Sequence, residues 1–402
     1  SAHDTVFAGT RDLEKELSAA AGADLLINPY GSAFPKAAWT TILRYLQTGG
    51  NFLNLGGVPF AVPVRDSKAE TRQVNFHKRI GILQAFEIAG SAAPKYRSNI
   101  EELQNFAAAA RVEKIFALYP RLTTKVDFPE DSGSDGAREA VTSALVHGLD
   151  ANGRARCAPI VAFDRLKGEF AGGRWVFALY KGAIDARAIR LLAEAAAFGA
   201  VEFSVKTDSA SYRASEKPKL EIFADNPKLK NEIWTNGLSI EVFDAENNSF
   251  FSSALKVEKK AGQPLGVEIA LDQKAFRTGF YRVRVAANLA KKNGLIETHA
   301  RETGFWFAGE KLLETGGEFT ADRHFLYRGG EPFPVAGVTY MASDVHRRFL
   351  LEPNPAVWDA DFAAMKAAGV NMIRTGIWTG WKLYTDERGN VREEILRAFE
   401  AF

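Results

Sequence analysis

Apolar positions change their spacing twice along the 402-residue chain. Up to about residue 200, short apolar runs alternate with stretches in which hydrophobic residues recur every three or four positions, as buried strands and amphipathic helices do. "ADLLINPYG" reads as a strand entering a turn. "AAWTTILRYLQTGG" reads as a helix with Trp39, Ile42, Leu43 and Leu46 on one face and Gly49 and Gly50 at its stop. "NFLNLGG" and "RWVFALY" are further strands, and "DARAIRLLAEAAAFG" is a further helix. The pattern predicts an α/β layered domain over residues 1–200.

Over residues 201–315 the period becomes two. "KLEIFADN", "LSIEVFDAENNS", "GVEIALD", "GFYRVRVAANL" and "ETGFWFAG" are short strands between Gly, Asn, Asp and Pro turns, the spacing of an immunoglobulin-like β-sandwich. Its aromatic residues Trp234, Phe250, Phe251, Tyr281 and Trp306 are expected in the interior. Over residues 316–402 strand and helix return. "EPFPVAGVTY" is expected as a buried strand, and "PAVWDADFAAMKAAGV" places Trp358, Phe362 and Met365 on one helical face. "VNMIRTGIW" is a second strand, and "VREEILRAFEAF" groups Ile395, Phe399 and Phe402. Two βα units do not close a domain, because apolar parallel strands need neighbours on both edges, so the fold is expected to continue beyond Phe402.

Composition narrows the function classes. Residues are 46% hydrophobic and 25% charged, as in an ordinary globular protein, and 51 Lys plus Arg nearly balance 49 Asp plus Glu. No field gathers a phosphate backbone or an anionic lipid surface, which excludes nucleic acid as the expected partner. No run of roughly 18 apolar residues is present to span a membrane. The single cysteine, Cys157, rules out an intrachain disulfide and a thiolate zinc cluster. His77 and His147 form no metal-ligand spacing, and no cofactor is expected. The opening "SAHDTVFAG" lacks an initiator methionine and reads as a processed or engineered start. Targeting is not legible from it; a periplasmic or secreted location is the expectation.

The densest chemistry lies in "VNMIRTGIWTGW". On a strand Val370, Met372, Arg374, Gly376 and Trp378 share one face, while Asn371, Ile373, Thr375 and Ile377 share the other. If helices cover the Ile373 and Ile377 face, Arg374 points to a barrel interior, where a carboxylate partner is required. The alternative is an edge-strand arginine in water. Trp378 and Trp381 are either packing residues or apolar platforms for the C–H face of a sugar ring.

"FPVAGVTYMASD", "DADFAAMKAAGVNMIRTGIW" and "LYTDERGNVREEILRAFEAF" together resemble the first two βα units of retaining glycoside hydrolases with a (β/α)8, or TIM, barrel, the clan of β-galactosidases, β-mannanases and cellulases. The resemblance implies that Arg374 orients the nucleophilic glutamate and that Tyr340, Trp378 and Trp381 line sugar subsites, with Asp344 and His346 as weaker candidates. It implies an oligo- or polysaccharide substrate. The clan uses two glutamates about 5 Å apart, through a glycosyl-enzyme intermediate; these come from later strands, so no catalytic acid is assigned within the 402 residues.

"ADLLINPYGSAFP" and "LRYLQTGGNFLNLGGVPF" resemble the class I glutamine amidotransferase fold, a flavodoxin-like α/β layer, and more closely its non-catalytic relatives attached to β-galactosidase-like enzymes. Gly49 and Gly50 match the glycine pair of that pattern, and Gly56 falls where its nucleophilic cysteine stands. Without a thiol there is no covalent attack, so this domain is expected to be structural or interfacial, the route for a homo-oligomer. A non-catalytic carbohydrate-binding or assembly protein is the competing reading, and an amidotransferase is disfavoured by Gly56.

Overall fold

A computed structural model describes residues 6, 8–18, 22–88, 95–98, 110–122, 138–226, 234–271, 276–290, 296–309, 317–377 and 380–402. The protein is β-rich, with several separate sheets, and divides into two compact units: residues 1–202 with 225–230, and residues 203–224 with 231–402.

The main sheet of the first unit has six strands in the order Leu25–Asn28, Asn51–Leu55, Arg174–Ala178, Ala155–Arg165, Ala140–Leu149, Lys95–Ser98. The first three run parallel and the remainder antiparallel. Side-chain alternation divides the apolar residues between two faces. Phe52, Trp175 and Phe177 meet Ile42, Tyr45 and Leu46 of the helix Trp39–Gln47. Leu53, Val176 and Ala178 meet Ala188, Leu192 and Ala196 of the helix Ala186–Ala197. Helices therefore cover both faces, as the apolar periodicity predicts.

Local chemistry fixes the ends of both helices. Asp185 accepts a hydrogen bond from the Ala188 amide at 2.7 Å, an N-cap that satisfies an otherwise free donor. At the other helix, Gly50 N donates to Tyr45 O at 3.0 Å. A Cβ on Gly50 would lie 2.3 Å from the Tyr45 ring, so the stop requires glycine. Arg174 and Asp164 are cross-strand partners joined by two hydrogen bonds of 2.6 and 2.9 Å, both side chains nearly out of water. The expected alternation of strand and helix fails in the middle of this unit. Among the described residues from Ile82 to Arg165 every helix or strand is a strand, and Ala110–Pro120 pairs antiparallel with Ile82–Ile88 and Tyr180–Ile184. These strands leave many side chains half-exposed, which blurs the signal that marks a buried strand.

In the second unit a five-stranded sheet orders Ser211–Tyr212, Ile296–Phe307, Gly279–Ala290, Trp234–Phe243 and Ser249–Lys259, and a three-stranded sheet orders Glu202–Thr207, Lys219–Asp225 and Leu265–Ala270. Alternate residues are buried: Leu238, Ile240 and Val242; Val283, Val285 and Ala287; Leu220, Ile222 and Ala224. The period-two reading corresponds to this alternation. It missed the edge strand Ser249–Lys259, most of whose side chains are not buried and whose hydroxyl-rich sequence reads as loop.

The last part of the same unit holds a parallel pair, Gly337–Thr339 beside Met372–Arg374, and the helices Pro355–Ala367 and Glu393–Ala401. Trp358, Phe349 and Ile395 form its core together with Ala210, with Trp306 packed against it. Ion pairs reinforce this packing. Arg397 bonds Glu216 at 2.8 Å and Glu393 at 2.7 Å, and Arg213 bonds Glu400 at 2.8 Å.

Three expectations are corrected here. Phe399 is 63% exposed, and Ala398 takes the inward position between Ile395 and Phe402. The "EPFPVAGVTY" strand is not buried: only Gly337–Thr339 is extended as part of the parallel pair, all three residues are exposed, and among the described residues the pair has no further strand on either edge. Ile377 lies beyond the end of the Met372–Arg374 strand and is exposed rather than packed under helices.

Candidate functional site

Cross-strand register places Gly337 opposite Met372, Val338 opposite Ile373 and Thr339 opposite Arg374. Asn371 anchors the entry of the pair: its side chain donates to Pro334 O at 2.7 Å and accepts from Ala336 N at 2.9 Å. At the exit, Tyr340 N donates to Arg374 O at 2.8 Å, and Thr375 Oγ1 donates to Tyr340 O at 3.3 Å. Ile373 packs against the helical core. Arg374, one residue on, is exposed and makes no ion pair among the described residues. It borders an open groove of about 260 Å³, lined also by Val335, Val338, Thr339 and Met372. A cation rimmed by apolar side chains suits an anionic or polyhydroxylated group, with the guanidinium supplying planar donors.

The structure does not gather all the residues the sequence nominates. Tyr340 is 4% exposed, its ring packed against Phe349, Phe362 and Phe402, and its hydroxyl donates to Asp361 Oδ2 at 2.9 Å. Burial and the Asp361 carboxylate push its ionisation far above the ordinary phenol value. Tyr340 is therefore a packing and anchoring residue, not a surface on which a sugar could stack. Asp344 and His346 lie in the loop that follows, both exposed. His346 has a left-handed backbone (φ 48°), and its amide bonds Ala342 O at 2.9 Å. Trp381 is 54% exposed at the start of a single helical turn, Trp381–Leu383. Trp378 lies outside the described residues. Asp361, which the sequence reading passed over, bonds both Tyr340 and the amide of Ser343; in the sequence nothing separates it from Asp359, two residues earlier in the same helix.

The crest of the first unit is a second place to look for chemistry. Asn28 donates to Asn54 Oδ1 at 2.9 Å, and Asn54 donates to Gly56 O at 3.2 Å and Gly57 O at 3.3 Å. Two buried asparagines thus tie the ends of adjacent parallel strands to the glycine turn, satisfying the polar groups there. Gly56 has φ 92°, and a Cβ placed on it would make only ordinary contacts. Cys157 stands on the Ala155–Arg165 strand opposite Gly148, and burial raises its thiol pKa, the reverse of what a nucleophile needs. His77 is buried, and its pKa is lowered by burial and by Arg72 and Lys78. Among the described residues no group of three metal-ligating side chains occurs, and no helix is long and apolar enough to cross a membrane.

No protein-family profile matches the chain, and no curated protein matches it. Solved structures similar in part include Bacteroides uniformis β-glucuronidase 2, at 17% identity over 45% of this chain and 21% of that one, with a TM-score of 0.22. Parabacteroides merdae β-glucuronidase matches at 17% identity over 46% and 22%, with a TM-score of 0.22. A glycosyl hydrolase family 2 member from Bacteroides cellulosilyticus matches at 15% identity over 43% and 22%, with a TM-score of 0.22. The chain spans about a fifth of the length of these structures.

Proposed function

We propose that the protein belongs to a glycoside hydrolase that cleaves a β-linked glycan by double displacement, and that residues 316–402 contribute the first two βα units of its (β/α)8 barrel. Residues 1–200 are then a degenerate amidotransferase-like domain without a nucleophile, and residues 201–315 an immunoglobulin-like sandwich. The observation that carries the reading is Arg374. It stands at the C-terminal end of a parallel strand, on the face turned away from the helices, with no carboxylate bonded to it among the described residues. Barrel enzymes place their chemistry at that end of the strands. The nucleophilic and acid/base glutamates belong to later strands, and Arg374 holds the nucleophile ionised and oriented. Asp344, His346, Trp378 and Trp381 are the candidate sugar-contacting residues, Tyr340 having moved to a supporting role.

The test is to isolate the natural protein, measure its intact mass and assay aryl β-glycosides with the anomeric outcome followed by NMR. Hydrolysis with retention, and a turnover reduced by roughly a hundredfold or more in Arg374→Ala with its acidic pH limb moved upward, is the expected result. A natural chain of this length that hydrolyses none of them would overturn the proposal in favour of an assembly or carbohydrate-binding role.

A further inference from the structure

Beyond the assignment of the strand ends, we propose that Asp361 is the positioning residue for the loop Met341–His346. One carboxylate oxygen, Oδ2, accepts both the Tyr340 hydroxyl at 2.9 Å and the Ser343 amide at 3.0 Å. Asp361 rides on the helix Pro355–Ala367, which is anchored in the core through Trp358. The loop is therefore pinned to a rigid element from outside.

The need for such an anchor is visible in the loop itself. Its internal closure is the Ala342 to His346 bridge, made with His346 in a left-handed conformation that a non-glycine residue adopts only under constraint. Ala342 and Val345 are held against the apolar core, but Met341, Ser343 and Asp344 between and before them face solvent, so the polar bonds decide their path. Tyr340 supplies the rest of the linkage. Its ring is locked in the aromatic core, its amide bonds Arg374 O, and its carbonyl accepts from Thr375. Asp361 thus couples the helix to the loop bearing Asp344 and His346 and, through Tyr340, to the end of the strand bearing Arg374. Removing the carboxylate takes away the one acceptor that the Tyr340 hydroxyl and the Ser343 amide share, so the link between the aromatic core and the loop is lost at a single point.

The importance of this loop rests on the sugar-site reading, but its dependence on Asp361 needs no ligand to be measured. Hydrogen–deuterium exchange of the intact chain separates the two. Asp361→Ala is expected to raise exchange over residues 341–347 by roughly tenfold, with the Gly279–Ala290 strand unchanged. Asp361→Asn, whose amide oxygen still accepts, is expected to restore most of the protection, and Tyr340→Phe to lose part of it. Asp359→Ala, on the same helix but paired with Arg282, is expected to leave the loop as it is. Wild-type exchange in the loop of Asp361→Ala, or an equal rise in Asp359→Ala, would overturn the proposal. Should Asp361→Ala fail to fold, unaltered loop exchange in Tyr340→Phe would overturn it equally.

Discussion

At the scale of single residues, the strongest commitments of the first unit are polar. Asp164 and Arg174 share two hydrogen bonds in a nearly dry setting, and removing one partner strands the other charge. Arg174→Met is expected to cost about 3–5 kcal/mol in urea unfolding, more than a surface ion pair could; a loss below 1 kcal/mol would show that water reaches Asp164. His77 makes a prediction about pH. Its pKa is lowered from 6.5 in the folded state, chiefly by burial, so the unfolded chain takes up a proton that the native state resists. Its contribution is intact above pH 6.5 and is lost as the pH falls through the folded value. His77→Gln is expected to flatten that part of the stability profile; an unchanged slope below pH 6.5 would assign the effect to another group, such as His147, whose pKa is also lowered by burial.

At the scale of elements, the C-terminal helix Glu393–Ala401 separates packing from exposure cleanly. Ile395 and Ala398 are buried, while Leu396 and Phe399 are half or more exposed. Ile395→Ala is therefore expected to cost about 2–5 kcal/mol, and Phe399→Ser to change stability by less than about 0.5 kcal/mol in thermal melts. Comparable losses from both would mean that Phe399 is covered in solution. The same helix shows what the sequence could and could not disclose. Helical spacing placed Ile395 and Phe402 correctly, but three residues in a four-residue rhythm do not say where the inward stripe stops, and Phe399 lies just past it. Where both faces of a strand are buried throughout, as at Arg174–Ala178, the apolar run was plain. Where a strand is half wet, as at Ser249–Lys259 or Ala140–Leu149, only its pairing defines it, and pairing is not written locally.

At the scale of the whole molecule, each compact unit has its own core, one around Trp175 and one around Trp358. Calorimetry is expected to resolve two transitions, with Arg174→Met lowering one and Trp358→Ala the other; a single transition lowered by both would refute separate cooperativity. Of the candidate site, Arg374 drew notice because a charge among apolar strand residues is conspicuous, but its exposure and lack of an ion pair among the described residues match the edge-strand alternative rather than the expected interior. Tyr340 was nominated only through the resemblance, as an aromatic ending a strand, and that likeness does not say which way the ring turns once the paired strand ends at Thr339. Asp361 was invisible because its partners lie 21 and 18 residues away in sequence, across a loop whose path only the fold determines.

The turn at Gly56 bears on how durable the first unit is. Its backbone is held at φ 92°, so any side chain there would sit against a torsional preference of about 1–2 kcal/mol, although it would meet no steric obstacle. Glycine removes that tension and leaves no void to refill. The crest tied down by Asn28 and Asn54 is thus a relaxed scaffold that asks nothing of this position beyond its backbone.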